Sequence, residues 1–468
     1  MNSTVRRGAG IRRTGAIAAA AALALSAAAC SSSGGGSGTS TGNASGPVTI
    51  TVGCEPPTTQ PAQRKFFLDD IAAFEKANPN ITVKGDDANP CEVPAKFTAQ
   101  LAAGTEDNVF YTAFTDPANV IAAGQAADIQ SYVSQIANEG SILPQLLNVY
   151  RQGSTSSGDL YGIPVNNYSE GLVYNTTLFQ RAGITSPPAT WADVETDAKK
   201  ISALGPGYIG YVDLSSQNTG GWHFASELFS RGGQMVTGSG SNAKAAFDTS
   251  TGLSVLQMLH QMRFVDNVMG TKQGLAWQDP QQIMATGKLG MYMGAPDTVT
   301  NMHATYNTPY TNIAMAPLPG VSAPTATLLG GDGYMFNKKD TAAQITAGIK
   351  FLNFEFLTPN EGQFNYARTA KAGQPVGLPE PDLFTSGSAA DTQASTDEKA
   401  SANVPSQNFS AYTQGLTNMQ LVIEPPQAQA IYAQGDKAMY AALTNSNANL
   451  QQLLDTFNTG ANTILQNQ

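Results

Sequence analysis

Few residue types in this chain can do covalent chemistry. There are three histidines, His223, His260 and His303, far apart along the sequence. No pair has metal-ligand spacing, and no Ser-His-Asp or Cys-His set can be assembled. Gly330-Gly331-Asp332-Gly333 lacks a lysine and carries an anion of its own, so it does not read as a phosphate cradle. Gly38-Thr39-Ser40-Thr41-Gly42 matches the nucleophile-elbow pattern, but it follows no strand and precedes no helix, which discards it. What remains is Glu55, Asp116, Tyr168, Trp222, Asp297, Asp332 and Tyr334, all in loops or at strand ends. Carboxylates accept hydrogen bonds from hydroxyl groups, and flat rings stack on weakly apolar C–H faces. That mixture suits holding a polyhydroxylated guest. The rival class is an enzyme, with Asp116 and Asp297 as paired carboxylates on a glycosidic bond. His223, next to Trp222, is a further ligand candidate. His260 reads as structural, His303 as a surface residue, and Trp191 and Trp277 as packing residues.

The elements that must position these groups alternate between strand and helix. Strands are expected at 48–52, 81–83 and 108–111. Between the first two, Phe67, Ile71 and Phe74 at i, i+4 and i+7 mark one helix face ending at Asn78-Pro79. Strand, helix, strand is a βαβ unit, hence α/β with a parallel sheet. Ligands of such sheets sit beyond the carboxyl ends of strands, which points to Glu55, Thr115 and Asp116. Further on, Tyr168 lies in a polar loop at 165–170, a strand follows at 171–174, and Thr190 caps a helix from Trp191. Gly220-Gly221-Trp222 enters a helix running to Phe229. Asp279-Pro280 starts another, with Asp279 as N-cap. Residues 385–402 are polar and read as an insertion or loop, and the last sixty or so residues as helical.

Composition narrows the classes. The 468 residues carry a net charge of −10, and 13% are charged. Phosphate binding needs a basic footprint, so nucleic acid is not an expected partner. Arg6, Arg7, Arg12 and Arg13 precede a short apolar run at 17–29 and then Cys30. This pattern reads as a lipoprotein signal, 1–30, ending at a lipidated Cys30 that anchors the protein to the outer face of the cell membrane. Residues 31–46 form a Ser/Gly tether. Cys54 and Cys91 each follow an expected strand. In an exported protein two such cysteines pair, and parallel neighbouring strands would bring them together. A two-thiol metal site lacks nearby histidines. No metal and no cofactor are expected.

The stretch 160–191 carries Tyr161, Gly162, Pro164, Tyr174, Asn175, Gly183, Pro188, Thr190 and Trp191 in order. It resembles the signature of family 1 extracellular solute-binding proteins, the sugar-type receptors of bacterial ABC importers. Residues 279–294, 313–320, 328–336 and 356–363 resemble later passages of that family. One departure is Pro296-Asp297 where the family has a tryptophan. The resemblance implies a two-lobed, periplasmic-binding-protein-like type II fold. Each lobe would be a mainly parallel sheet flanked by helices, with 47–164 and 318–368 in lobe 1 and 165–317 and 369–468 in lobe 2. Hinge crossings are expected near 163–167, 316–320 and 365–375. It implies a non-enzymatic, monomeric receptor that captures a sugar or oligosaccharide and delivers it to the importer's transmembrane subunits. A glycan hydrolase, or a same-fold receptor for a non-sugar polar solute, is the alternative.

Overall fold

The computed structural model describes residues 46–58, 61–87, 94–238, 240–379, 382–416 and 419–466. Cys30 and Cys91 lie outside the described residues, and with them the lipidation and the Cys54–Cys91 pairing. In chain order the strands are β1 (Val48–Gly53), β2 (Ile81–Asp86), β3 (Val109–Ala113), β4 (Gly162–Ser169), β5 (Gly171–Asn175) and β6 (Ile209–Val212). There follow β7 (Val236–Thr237), β8 (Lys244–Ala245), β9 (Leu289–Gly294), β10 (Ile313–Pro317), β11 (Ala326–Phe336) and β12 (Gln420–Ile423).

The first sheet runs β12-β11-β3-β1-β2, with β4 also pairing β11. β1 lies parallel to β2 and β3, and β11 lies parallel to β12 and antiparallel to β3 and β4. Ile50 and Val52, two residues apart, are fully buried, as alternation along a strand requires. The helix Pro61–Ala77 covers this sheet with Phe67, Ile71 and Phe74, the spacing read from the sequence. Phe74 meets Phe351 edge to face at 5.3 Å, tying that helix to Ala342–Leu352.

The second sheet runs β10-β5-β9-β6. Only β6–β9 is parallel there; β5–β9 and β10–β5 are antiparallel. This sheet is therefore mixed; β5 is entered from the first sheet by a short passage, and β10 leaves for the first sheet by another. It is covered on both faces. Leu172, Met291, Met293 and Tyr211 face one core, and Val173, Tyr292, Val212 and Met315 face the other. Period-two alternation with apolar residues at every position is how a doubly buried strand must read.

The chain passes between the bodies built on the two sheets at several places. β4 ends at Ser169 and β5 starts at Gly171, so the first crossing is at Glu170, later than 163–167. The second lies between Pro317 and Ala326, beside the expected 316–320. The later ones lie between Ser401 and Phe409 and on either side of β12, a short strand not read from the sequence, rather than at 365–375. The expected divisions at 164/165 and 368/369 fall inside continuous packing. Val165 and Leu383, Phe384, Ala390 and Ala394 belong to the core under the first sheet. Residues 389–401 form a helix, Ala389–Ser401, where an insertion or loop was expected. Its buried face is alanine, too weak a pattern to stand out.

Candidate functional site

A cavity of about 2060 Å³ opens between the bodies built on the two sheets. Pockets for small ligands run about 300–1,000 Å³, so this one has room for an oligomer or for closure. Asp116, Tyr168, Trp222, Asp297 and Asp332 all line it. Tyr168 comes from β4 and Trp222 from the helix Thr219–Ser230, and their rings meet edge to face at 6.2 Å and 81°. Thr115 lines it too, at the carboxyl end of β3 as the strand-end rule requires.

Each aromatic is held by close backbone approach. Tyr168 stands opposite Gly330 of β11, and a Cβ at position 330 would sit 2.2 Å from Tyr168 Cζ. Only a bare Cα lets the ring lie across the strand. Trp222 depends on Gly221, whose missing side chain lets the helix start lie against Tyr432 Cα on the helix Ala428–Thr444. Asp436 of that helix accepts hydrogen bonds from the backbone N–H groups of Asn218 (2.6 Å), Gly220 (2.8 Å) and Gly221 (3.1 Å). A carboxylate supplied by a neighbouring helix thus satisfies the orphan donors of this N-terminus.

The carboxylates converge on the first sheet's cleft edge. Asp332 of β11 pairs in register with Ala113, and the Ala113 N–H donates to Asp116 Oδ2 at 3.1 Å. The Tyr111 hydroxyl donates to Asp332 Oδ1. Glu424, one residue past β12, also lines the cavity, and burial raises its carboxyl to about 7, with Asp116 and Asp332 adding to the rise. Burial raises Asp116 to about 6. Asp297 opens the helix Asp297–Tyr306 on the opposite wall.

Two expected residues are elsewhere. Glu55 pairs with Arg64 at 2.6 Å and does not line the cavity. The turn after β1 carries it toward the helix Pro61–Ala77 instead. Tyr334 is 4% exposed, stacked on Phe356 at 5.5 Å, and burial raises its hydroxyl far above the usual range. Two residues along β11 from Asp332 it is part of the core, not of the cleft. His223 is buried behind Trp222. Its Nδ1 lies 2.6 Å from Asp213 Oδ1 and its Nε2 3.3 Å from Glu170 Oε1, at the first crossing. Trp191 packs as expected, its Nε1 donating to Ser230 Oγ at 3.0 Å. Trp277, read as packing, lines the cavity.

Sequence reasoning missed Glu424, Tyr432, Asn166, Asn167 and Gln217. Gln217 and Asn218 both take positive φ, 58° and 67°, and the only signal of this in the sequence is the polar, glycine-rich run 217–221. Glu424 and Tyr432 had no local signal, since β12 and the helix after it reach the cavity only through tertiary packing. Among the described residues no group of three or more His, Cys, Asp or Glu is placed to hold a metal ion, and no helix is long and apolar enough to cross a membrane.

Comparison with known proteins agrees with this geometry. A binding protein of Brucella abortus (strain 2308) is 25% identical over 255 residues, 54% of this chain and 58% of that protein. The match thus spans under two thirds of that relative's length. The cyclic α-maltosyl-1,6-maltose binding protein of Arthrobacter globiformis superposes with a TM-score of 0.68 at 20% identity, covering 90% of this chain and 100% of that one. The GacH receptor of Streptomyces glaucescens, solved unliganded and with acarbose, superposes with a TM-score of 0.69 at 18% identity, covering 89% and 98%. These likenesses place the chain in the two-lobed periplasmic-binding-type fold. The profile of the bacterial extracellular solute-binding proteins matches residues 58–363, about two thirds of the sequence. The chain is a member of the bacterial extracellular solute-binding protein family.

Proposed function

We propose that this protein is the extracytoplasmic receptor of an ABC importer and that its solute is a carbohydrate held between the two lobes. The observation that carries the reading is the Tyr168–Trp222 pair, half-buried on the cavity wall among carboxylates and amides. Rings at a right angle offer one flat face and one edge to a sugar, while Asp116, Asp297 and Asp332 accept from its hydroxyls. Ligand bridging both lobes stabilises the closed form by its differential affinity for that form, and the closed form is what the transmembrane subunits engage. Glu55 and Tyr334 take no part.

The finer assignments follow the same reading. Cys30 carries the lipid and residues 31–46 the tether. Cys54 pairs with Cys91, which the parallel β1–β2 pairing favours because it sets the two strand ends side by side. The receptor acts as a monomer. Lobe 1 holds β1–β4, β11, β12 and the helices packed on them, among them Pro61–Ala77, Ala342–Leu352 and Ala389–Ser401, and lobe 2 holds β5, β6, β9, β10 and the helices packed on those strands. Titration calorimetry against a sugar panel tests the proposal. Micromolar or tighter binding of a sugar, recovered intact, is expected. Binding of a peptide or amino acid with no sugar bound, or release of cleaved sugar, overturns it.

A further inference from the structure

The cavity has a one-sided charge. Among the described residues, seven acidic side chains line it against a single cation, Lys399. Lys399 is on the helix Ala389–Ser401, where it acts on Asp382 beside Asp391. It is absent from the influences that set Asp116 and Glu424, which are burial, hydrogen bonds and, for Glu424, other acids. A receptor for neutral hydroxyls needs donors and acceptors in balance, and one for phosphate or uronate needs facing cations. Among its charged groups this wall is weighted to acceptors.

A second observation points the same way. Asn167 is 7% exposed and lines the cavity one register position from the Asp332–Asn166 pair. Its Nδ2 donates to the Asp382 carbonyl at 3.0 Å, while its Oδ1 has no hydrogen-bond partner among the described residues. A buried acceptor left without a donor is costly, and a ligand N–H or O–H relieves it. Desolvation that raises Glu424 to about 7 and Asp116 to about 6 is likewise relieved by an incoming positive charge. The faces of Trp222 and Tyr168 add attraction for a cation.

We infer that the solute is a cationic saccharide, carrying at least one protonated amine seated at Asp332, Glu424 and Asn167, and that phosphorylated and uronic sugars are rejected. The inference rests on the carbohydrate reading above and narrows it. The probes are maltose, cellobiose and trehalose, each in its neutral, 6-amino-6-deoxy and 6-phosphate form. Within one skeleton these differ only in the substituent at one carbon. Calorimetry at about 20 mM salt is expected to show the amino form of at least one skeleton binding about tenfold or more tighter than its neutral parent, and the phosphate form weakest. Raising salt to about 500 mM narrows the gap. Asp332→Asn and Glu424→Gln each lower the amino-to-neutral affinity ratio, whereas Glu55→Gln, outside the cavity, does not.

Neutral and amino forms that bind equally, or a phosphate form that binds tightest, overturn the inference and leave the carbohydrate receptor standing. If none of the nine compounds binds, the inference falls, and the sugar panel above decides the carbohydrate reading.

Discussion

At the scale of single residues, cleft and core are separated by small steps along one strand. On β11, Asp332 faces the cavity and Tyr334 packs on Phe356. Trp222→Ala is therefore expected to weaken sugar binding about tenfold or more with an unchanged circular dichroism spectrum. Tyr334→Ala is expected to cost about 3 kcal/mol of stability through the cavity it leaves, and Tyr334→Phe to keep both affinity and melting temperature. Buried titrating groups add a pH signature. Burial raises Glu170 to about 7 and Asp213 to about 6, while it lowers His223. A carboxylate raised in the folded state contributes stability that is present below its unfolded value and lost as pH rises through the folded one. His223 acts oppositely, its charging opposing folding as pH falls below about 6.5. The raised carboxylates, which also include Asp116 and Glu424, outnumber it. Melting temperature should fall between about pH 5 and 7.5, and Glu170→Gln should flatten that slope. A melting temperature rising over this window in the wild type would contradict the account.

At the scale of elements, what positions the rings is backbone proximity. Gly330→Ala places a methyl in the Tyr168 ring and should lower affinity with little change in helix content. Asp436→Ala strips three N–H groups of their acceptor and should destabilise by about 2 kcal/mol while loosening Trp222. Much of this scale was readable in advance. The Phe67, Ile71, Phe74 stripe and the cap at Thr190 are where periodicity and cap chemistry put them, and Asp193 completes a capping box there. Asp279 was expected as an N-cap, but the helix is Gln278–Ala285, with Asp279 in its first turn accepting the Ala276 N–H at 2.8 Å. β12, four residues long, and the alanine-faced helix Ala389–Ser401 escaped because neither carries enough apolar contrast to show a period. For the site, strand-end logic found Asp116, yet no local rule could say that Glu55 turns away to Arg64 or that Glu424 turns in.

At the scale of the molecule, the cavity exceeds what a disaccharide fills, so binding should draw the lobes together. Small-angle scattering should show a smaller radius of gyration at saturating ligand, and no change would argue for a rigid receptor. The order of strands has a further consequence. β11 pairs with β3, β4 and β12, so a sheet that begins at Val48 is not complete until Ile423 has been made. During synthesis the leading two thirds of the polypeptide therefore lacks the partner that would close its own framework, and stays loosely organised. A version ending before Ala326 should remain protease-sensitive however long it is left to mature.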